Sequence, residues 1–119
     1  MKHELELRLI QLTLETDDLC KSLIKSYLIQ HLMTQIIRSS SSAALDYGEA
    51  QAAESKKDFV HKVSIVLKEL RETKINLKIM RNSVPSDKLE SFQSCLDECD
   101  QLVAIFYKTL KSAQKHLIK

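Results

Sequence analysis

The sequence of 119 residues contains one glycine and one proline. Turns draw on these two residues far more than helices do, so few turns and long helices are expected. A single glycine also leaves no phosphate-cradling loop of the nucleotide-binding kind and no strand-turn-helix nucleophile elbow. No uninterrupted apolar run approaches the length that crosses a bilayer, so no membrane role is expected. The opening "MKHELELRL" has acids where a secretory signal carries its apolar core, which makes a cytoplasmic location the expectation. Three cysteines, Cys20, Cys95 and Cys99, are an odd number; they argue against a disulfide framework and for a reducing compartment.

What is present is an ordinary soluble composition, 44% apolar and 29% charged, on a chain long enough for one domain with one modest core. A net charge of +2 permits a polyanionic partner without demanding one. The clearest helical seam comes last: Leu89, Phe92, Leu96, Cys99, Val103, Phe106, Leu110, Ala113 and Leu117 recur in steps of three and four. Pro85 and Ser86 precede it, Asp87 and Glu90 suit its start, and Lys108, Lys111, Lys115 and Lys119 crowd its end. Phe59, Val63, Val66, Leu70, Thr73, Leu77 and Met80 make a second seam, introduced by Ser55 and Asp58 in the manner of a capping box. The segment Glu4 to Glu15 alternates, which by period alone suggests a strand. Its leucines, glutamates, arginine and glutamine favour a helix with Leu5, Leu9, Leu12, Thr16, Leu19 and Leu23 on one side. Leu7, Ile10 and Leu14 would then form a second apolar face, for which another subunit is one possible neighbour.

The run Ser39 to Ser42 decides the architecture. It reads either as a flexible connector or as part of a helix. Ile29, Met33, Ile36, Ser40, Ala43 and Tyr47 keep the helical step straight through it, and the helix reading is favoured. Gly48 could help to finish that helix. The expectation is a single all-α domain over 1–119, with helices at about 2–23, 28–50, 55–82 and 86–117. Short connections make it an antiparallel up-down four-helix bundle. The boundary between the first two helices, somewhere within 22–28, carries no breaker residue.

The stretch "EAQAAESKKDFVHKVSIVLKELRET", Glu49 to Thr73, with the segment before it, resembles the ribosomal-RNA intervening-sequence proteins, also called four helix bundle proteins. That family's pattern is matched by Arg38, Ser39 and Ser42, then by Glu49, Ala50, Ala53, Glu54, Ser55, Asp58 and Phe59. Lys62, Ile65, Lys68, Glu69, Glu72, Thr73 and Leu77 complete the match. Asp46 stands where the family has asparagine, beside Ala44 and Leu45. Ile75 and Asn76 replace an aromatic pair, a change that would alter a helix contact or an inter-subunit surface. The resemblance implies a bundle that assembles into a ring, with a homopentamer favoured. It implies no catalytic residues and no cofactor. It also implies partners: RNA or DNA, or a nucleic-acid-handling protein such as a reverse transcriptase.

Read residue by residue, the chain offers little for catalysis. Cys95 and Cys99 share one side of a helix, but a closed zinc site needs four ligands and Cys99 lies on the apolar seam. His31 and His61, if they faced one another, would still lack a paired carboxylate. Glu49, Glu69 and Glu72 do not form the Glu-x-x-His pairs of di-iron bundles. A structural use suits the acids better: an ionic network among Arg38, Glu49, Lys62 or Glu69 would fix how helices meet, and Glu49→Gln would loosen the bundle. The functional lead is basic. Lys68, Arg71, Lys74, Lys78 and Arg81 recur at three or four residues, with Lys56 and Lys57 upstream and further lysines on the last helix. They read either as a phosphate-binding stripe or as a solvated face with local ion pairs. No aromatics punctuate the stripe, so stacking on single-stranded bases is not expected. A purely protein-binding or scaffolding oligomer is the alternative.

Overall fold

The four serines are helical. A computed structural model describes residues 2–84 and 86–118, so the expected roles of Pro85 and Lys119 fall outside the described residues. The helices are α1 (Lys2–Lys21), α2 (Tyr27–Gln51), α3 (Lys56–Arg81) and α4 (Leu89–Ile118), with a 3-10 turn over Ser86–Lys88 leading into α4. That tight turn explains why α4 begins three residues later than the sequence suggests. Among the described residues there is no strand: α1 is a helix despite its alternation.

Local chemistry sets the starts. Ser26 caps α2, its Oγ accepting the Ile29 N–H at 3.1 Å. Ser55 caps α3, accepting the Asp58 N–H at 3.0 Å, and the Asp58 carboxylate accepts the Glu54 N–H at 3.3 Å. This is the reciprocal pairing of a capping box, shifted back by one residue. Such caps contribute about 1 kcal/mol each.

Packing follows chain order. α2 lies most extensively on α3, α3 on α4 and α1 on α2, with a lighter α1–α4 contact. α1 and α3 therefore occupy one diagonal of a rod 51 Å long and 22 by 20 Å across. The seam of α3 is buried from Val63 to Met80, with Phe59 half-buried. On α4, Phe92, Leu96, Cys99, Phe106 and Leu110 are buried as expected. Cys95 and Leu102 join them, while Leu89 and Leu117 are exposed. Phe106 meets Tyr47 of α2 edge to face, ring centres 5.2 Å apart.

Each adjacent pair of helices is also tied by a polar contact. Arg8 of α1 donates twice to the Glu98 carboxylate of α4, at 2.9 and 2.7 Å. Thr16 of α1 and Ser40 of α2 share a buried hydroxyl contact at 3.3 Å, and Ser39 of α2 meets Thr73 of α3 at 2.7 Å. Lys74 of α3 pairs with Asp100 of α4 at 2.6 Å. Apolar ridges alone tolerate a slip by one helical turn; the two hydroxyl pairs do not, because a buried hydroxyl without its partner is costly.

Gly48 does not end α2. It sits inside the helix, which continues to Gln51, and its φ is not positive. Nothing lies within 4 Å of where a Cβ would stand. Gly48→Ala is therefore expected to stabilise the protein by roughly 0.5–1 kcal/mol, because alanine loses less backbone freedom in a helix. A thermal melt raised by about 3 °C checks this, and an unchanged or lower midpoint counts against it.

Candidate nucleic-acid interface

α3 presents most of the cations that the sequence nominates, but its neighbours divide them. Lys56, Lys57, Lys68, Arg71 and Lys78 are exposed and form no ion pair among the described residues. Lys74 and Arg81 are turned toward α4. Lys74 is neutralised by Asp100 at 2.6 Å, and Arg81 donates to the Gln93 side chain at 3.0 Å. The expected single stripe is thus an open set of five cations, with two others engaged by side chains of α4. Sequence spacing could not separate them, because it does not say which flank of α3 receives α4.

Antiparallel packing adds something that the spacing hid. The end of α4 lies beside the start of α3, so lysines far apart in sequence collect at one tip of the rod. Lys56 of α3 and His116 of α4 line one pocket of about 380 Å³, together with Ser55 and Phe59. Lys111 and Lys115 are exposed on the same part of α4, and the Lys111 ammonium stands 5.4 Å over the Tyr107 ring. The positive end of the α3 dipole points the same way.

A groove that sequence reading missed runs along the outer face of α3. It has a volume of about 730 Å³, with Leu67, Ile75 and Ile79 in its walls, Lys68 and Arg71 among its charges, and Gln35 and Arg38 contributed by α2. The available signal was the pair Ile75 and Ile79, both off the core seam and both exposed.

The motif residues shared with the resembled family mostly build the α2–α3 junction. Arg38 donates to Glu69 at 2.9 Å and also to Glu72. Lys62 stands 3.7 Å from Glu49. These are two separate units, so the expected single network is divided. Ala50 is buried, Ser42 and Phe59 are half-buried, Glu54 is exposed, and Ser55 with Asp58 forms the cap. Asp46 is half-buried; burial above all, then Glu49 and Glu69 nearby, push its carboxyl above the usual range.

The remaining candidates sit apart. His31 and His61 are both exposed and do not face one another. Each lies near the start of its helix, and α2 and α3 are antiparallel, which separates them by roughly 27 Å along the rod. Cys95 and Cys99 are buried, and burial pushes both thiols up to about 12. Cys20, at the end of α1, is pushed up to about 11 for the same reason. All three are held as thiols rather than nucleophilic thiolates. Among the described residues no group of three His, Cys, Asp or Glu side chains gathers in a way that could hold a metal ion. No described helix is long and apolar enough to cross a membrane.

Comparison with known proteins places this geometry. A protein of unknown function from the S23 ribosomal protein family of Bacteroides thetaiotaomicron has a crystal structure similar to this one, with a TM-score of 0.77 at 22% identity. The likeness covers 90% of this chain and 98% of that one, and at such identity it speaks for the fold alone. No match is found among curated proteins. The family model described as 23S rRNA-intervening sequence protein matches residues 4–108, a span that takes in α1, α2, α3 and most of α4. With four helices in this order, the quoted motif residues at their junction and a match over most of its length, the chain belongs to the 23S rRNA-intervening sequence protein family.

Proposed function

We propose that this chain is a non-enzymatic cytoplasmic protein that assembles into a ring, with five copies favoured, and binds RNA or DNA through its lysine-rich tip and the open cations of α3. The observation that carries the reading is the set Lys56, Lys57, Lys68, Arg71 and Lys78, exposed and unpaired among the described residues. An exposed cation left without a carboxylate is available to a phosphate, and releasing the phosphate's counterions drives the association. Without stacking aromatics beside these cations, contact is with the backbone rather than with base edges. A reverse transcriptase or similar protein is the companion that the family resemblance implies.

Fluorescence anisotropy with an RNA hairpin and a DNA duplex of equal phosphate count tests this. Affinity is expected to fall at least tenfold between about 50 and 200 mM salt. Lys56→Glu with Lys57→Glu is expected to weaken binding about tenfold and to reduce the salt slope by about 2. Absence of binding at the lower salt, or binding unaffected by the double reversal, overturns the proposal.

A further inference from the structure

The open cations are of two kinds. Lys68, Arg71 and Lys78 follow one another along the exposed side of α3 and suit the successive phosphates of a strand. Lys56 instead faces a pocket of about 380 Å³, and the other ionisable group in that wall is His116, brought there by α4. Ser55 and Phe59 also line the pocket, and no carboxylate does. Of the acids close by in sequence, Asp58 accepts the Glu54 N–H at 3.3 Å, Glu49 stands 3.7 Å from Lys62, and Glu54 is exposed.

The polar groups of this pocket have defined roles. The His116 Nδ1 lies 2.8 Å from the Ser112 carbonyl oxygen. A carbonyl can only accept, so Nδ1 carries the hydrogen and Nε2 is the nitrogen left for a ligand. Ser55 Oγ accepts the Asp58 N–H at 3.0 Å and keeps its own hydroxyl hydrogen to donate. An ammonium, a hydroxyl donor and a proton-accepting imidazole nitrogen therefore line one cavity, supplied by two helices and the cap between them.

We propose that this pocket binds a phosphate monoester, the terminal phosphate of an RNA or DNA strand, so that the protein prefers a phosphorylated strand end to an unphosphorylated one. The inference rests on the nucleic-acid reading of the lysine-rich tip and names what that tip selects. A terminal phosphate loses its second proton near pH 6, so near neutrality it exchanges between one and two charges. Its monoanion holds one hydrogen, which it donates to Nε2. Transfer along that bond leaves a dianion beside an imidazolium, and the pair holds the same single proton either way. Lys56 offsets a further charge, and Ser55 donates to a free oxygen. A phosphate inside a strand is a diester with no such hydrogen, and an uncharged Nε2 sets a lone pair against its anionic oxygens. The row on α3 therefore takes diesters, and the pocket takes the end.

The experiment is fluorescence anisotropy at neutral pH and constant salt, with one RNA sequence bearing either a 5′-phosphate or a 5′-hydroxyl. The phosphorylated strand is expected to bind about tenfold more tightly. His116→Ala is expected to bring it down to the affinity of the hydroxyl strand. Lys57→Gln, beside the pocket but not in its lining, is expected to weaken both strands and keep their ratio. Both positions are exposed, and unchanged helical circular dichroism confirms folding. Adenosine monophosphate is expected to compete at least about a hundredfold more weakly than the phosphorylated strand, which the other cations also hold. Equal binding of the two strands, or a preference that survives His116→Ala, overturns the inference and leaves the nucleic-acid reading in place. A monophosphate that competes as well as the strand assigns the pocket to free nucleotides and also overturns it. If neither strand binds, the reading itself falls and the inference with it.

Discussion

Phe106→Ala is expected to destabilise the protein by about 4 kcal/mol and to lower its melting point by roughly 15–20 °C. The ring is fully buried near the middle of α4 and packs edge-on against Tyr47 of α2. Truncation removes the ring's transfer free energy and leaves a cavity as well. That cavity cannot easily collapse, because Leu102 and Leu110 on the same helix are themselves held in the core and rigid helices do not bend inward over one side chain. Leu117→Ala, near the exposed end of the same helix, is the control and is expected to change stability by about 0.5 kcal/mol or less. Urea denaturation of both variants gives the comparison. A loss at Phe106 below about 1.5 kcal/mol would mean that the ring is not part of a closely packed interior.

The second large effect belongs to Arg38. Its guanidinium bridges Glu69 and Glu72, and the Glu69 side chain is only 8% exposed. Arg38→Ala strands that carboxylate inside the α2–α3 junction. Complete burial would cost about 3–5 kcal/mol, and the half-exposed arginine brings the expectation down to about 2 kcal/mol. The double variant Arg38→Met with Glu69→Leu removes both charges and keeps similar volume, so it is expected to regain most of the loss. If single and double variants melt alike, the stranded charge is not the cause. Glu49, the residue that sequence reading would choose for this test, is a weaker choice. It is more than half exposed and 3.7 Å from Lys62, and Glu49→Gln is expected to cost about 0.5 kcal/mol or less.

These two cases show what could be read from the letters and what could not. Burial along α3 follows the step of three and four from Val63 to Met80, because an apolar seam repeats at that step while the opposite face is mostly charged, with Ile75 and Ile79 as its apolar exceptions. The serine run is legible for the same reason: Ile36, Ser40 and Ala43 stay in register through it and all three are buried. α1 was ambiguous because it carries two apolar faces, and a core seam overlaid on the strip Leu7, Ile10 and Leu14 imitates alternation. The turn after α1 contains neither glycine nor proline, yet Ser26 offered an N-cap signal that the periodicity overshadowed. Azimuth was the hidden quantity elsewhere. Arg8 and Glu98 are ninety residues apart and bond only because α1 and α4 lie side by side. Lys74 and Arg81 fit the basic spacing but face α4, which no local pattern records.

The adjacent hydroxyls of Ser39 and Ser40 grip α3 and α1 at one level, halfway along a 51 Å rod. A bundle pinned at its waist frays from its tips. Local opening is then expected first where the chain turns and where Lys56, Lys57, Lys111 and Lys115 gather, while the middle of the rod holds its shape.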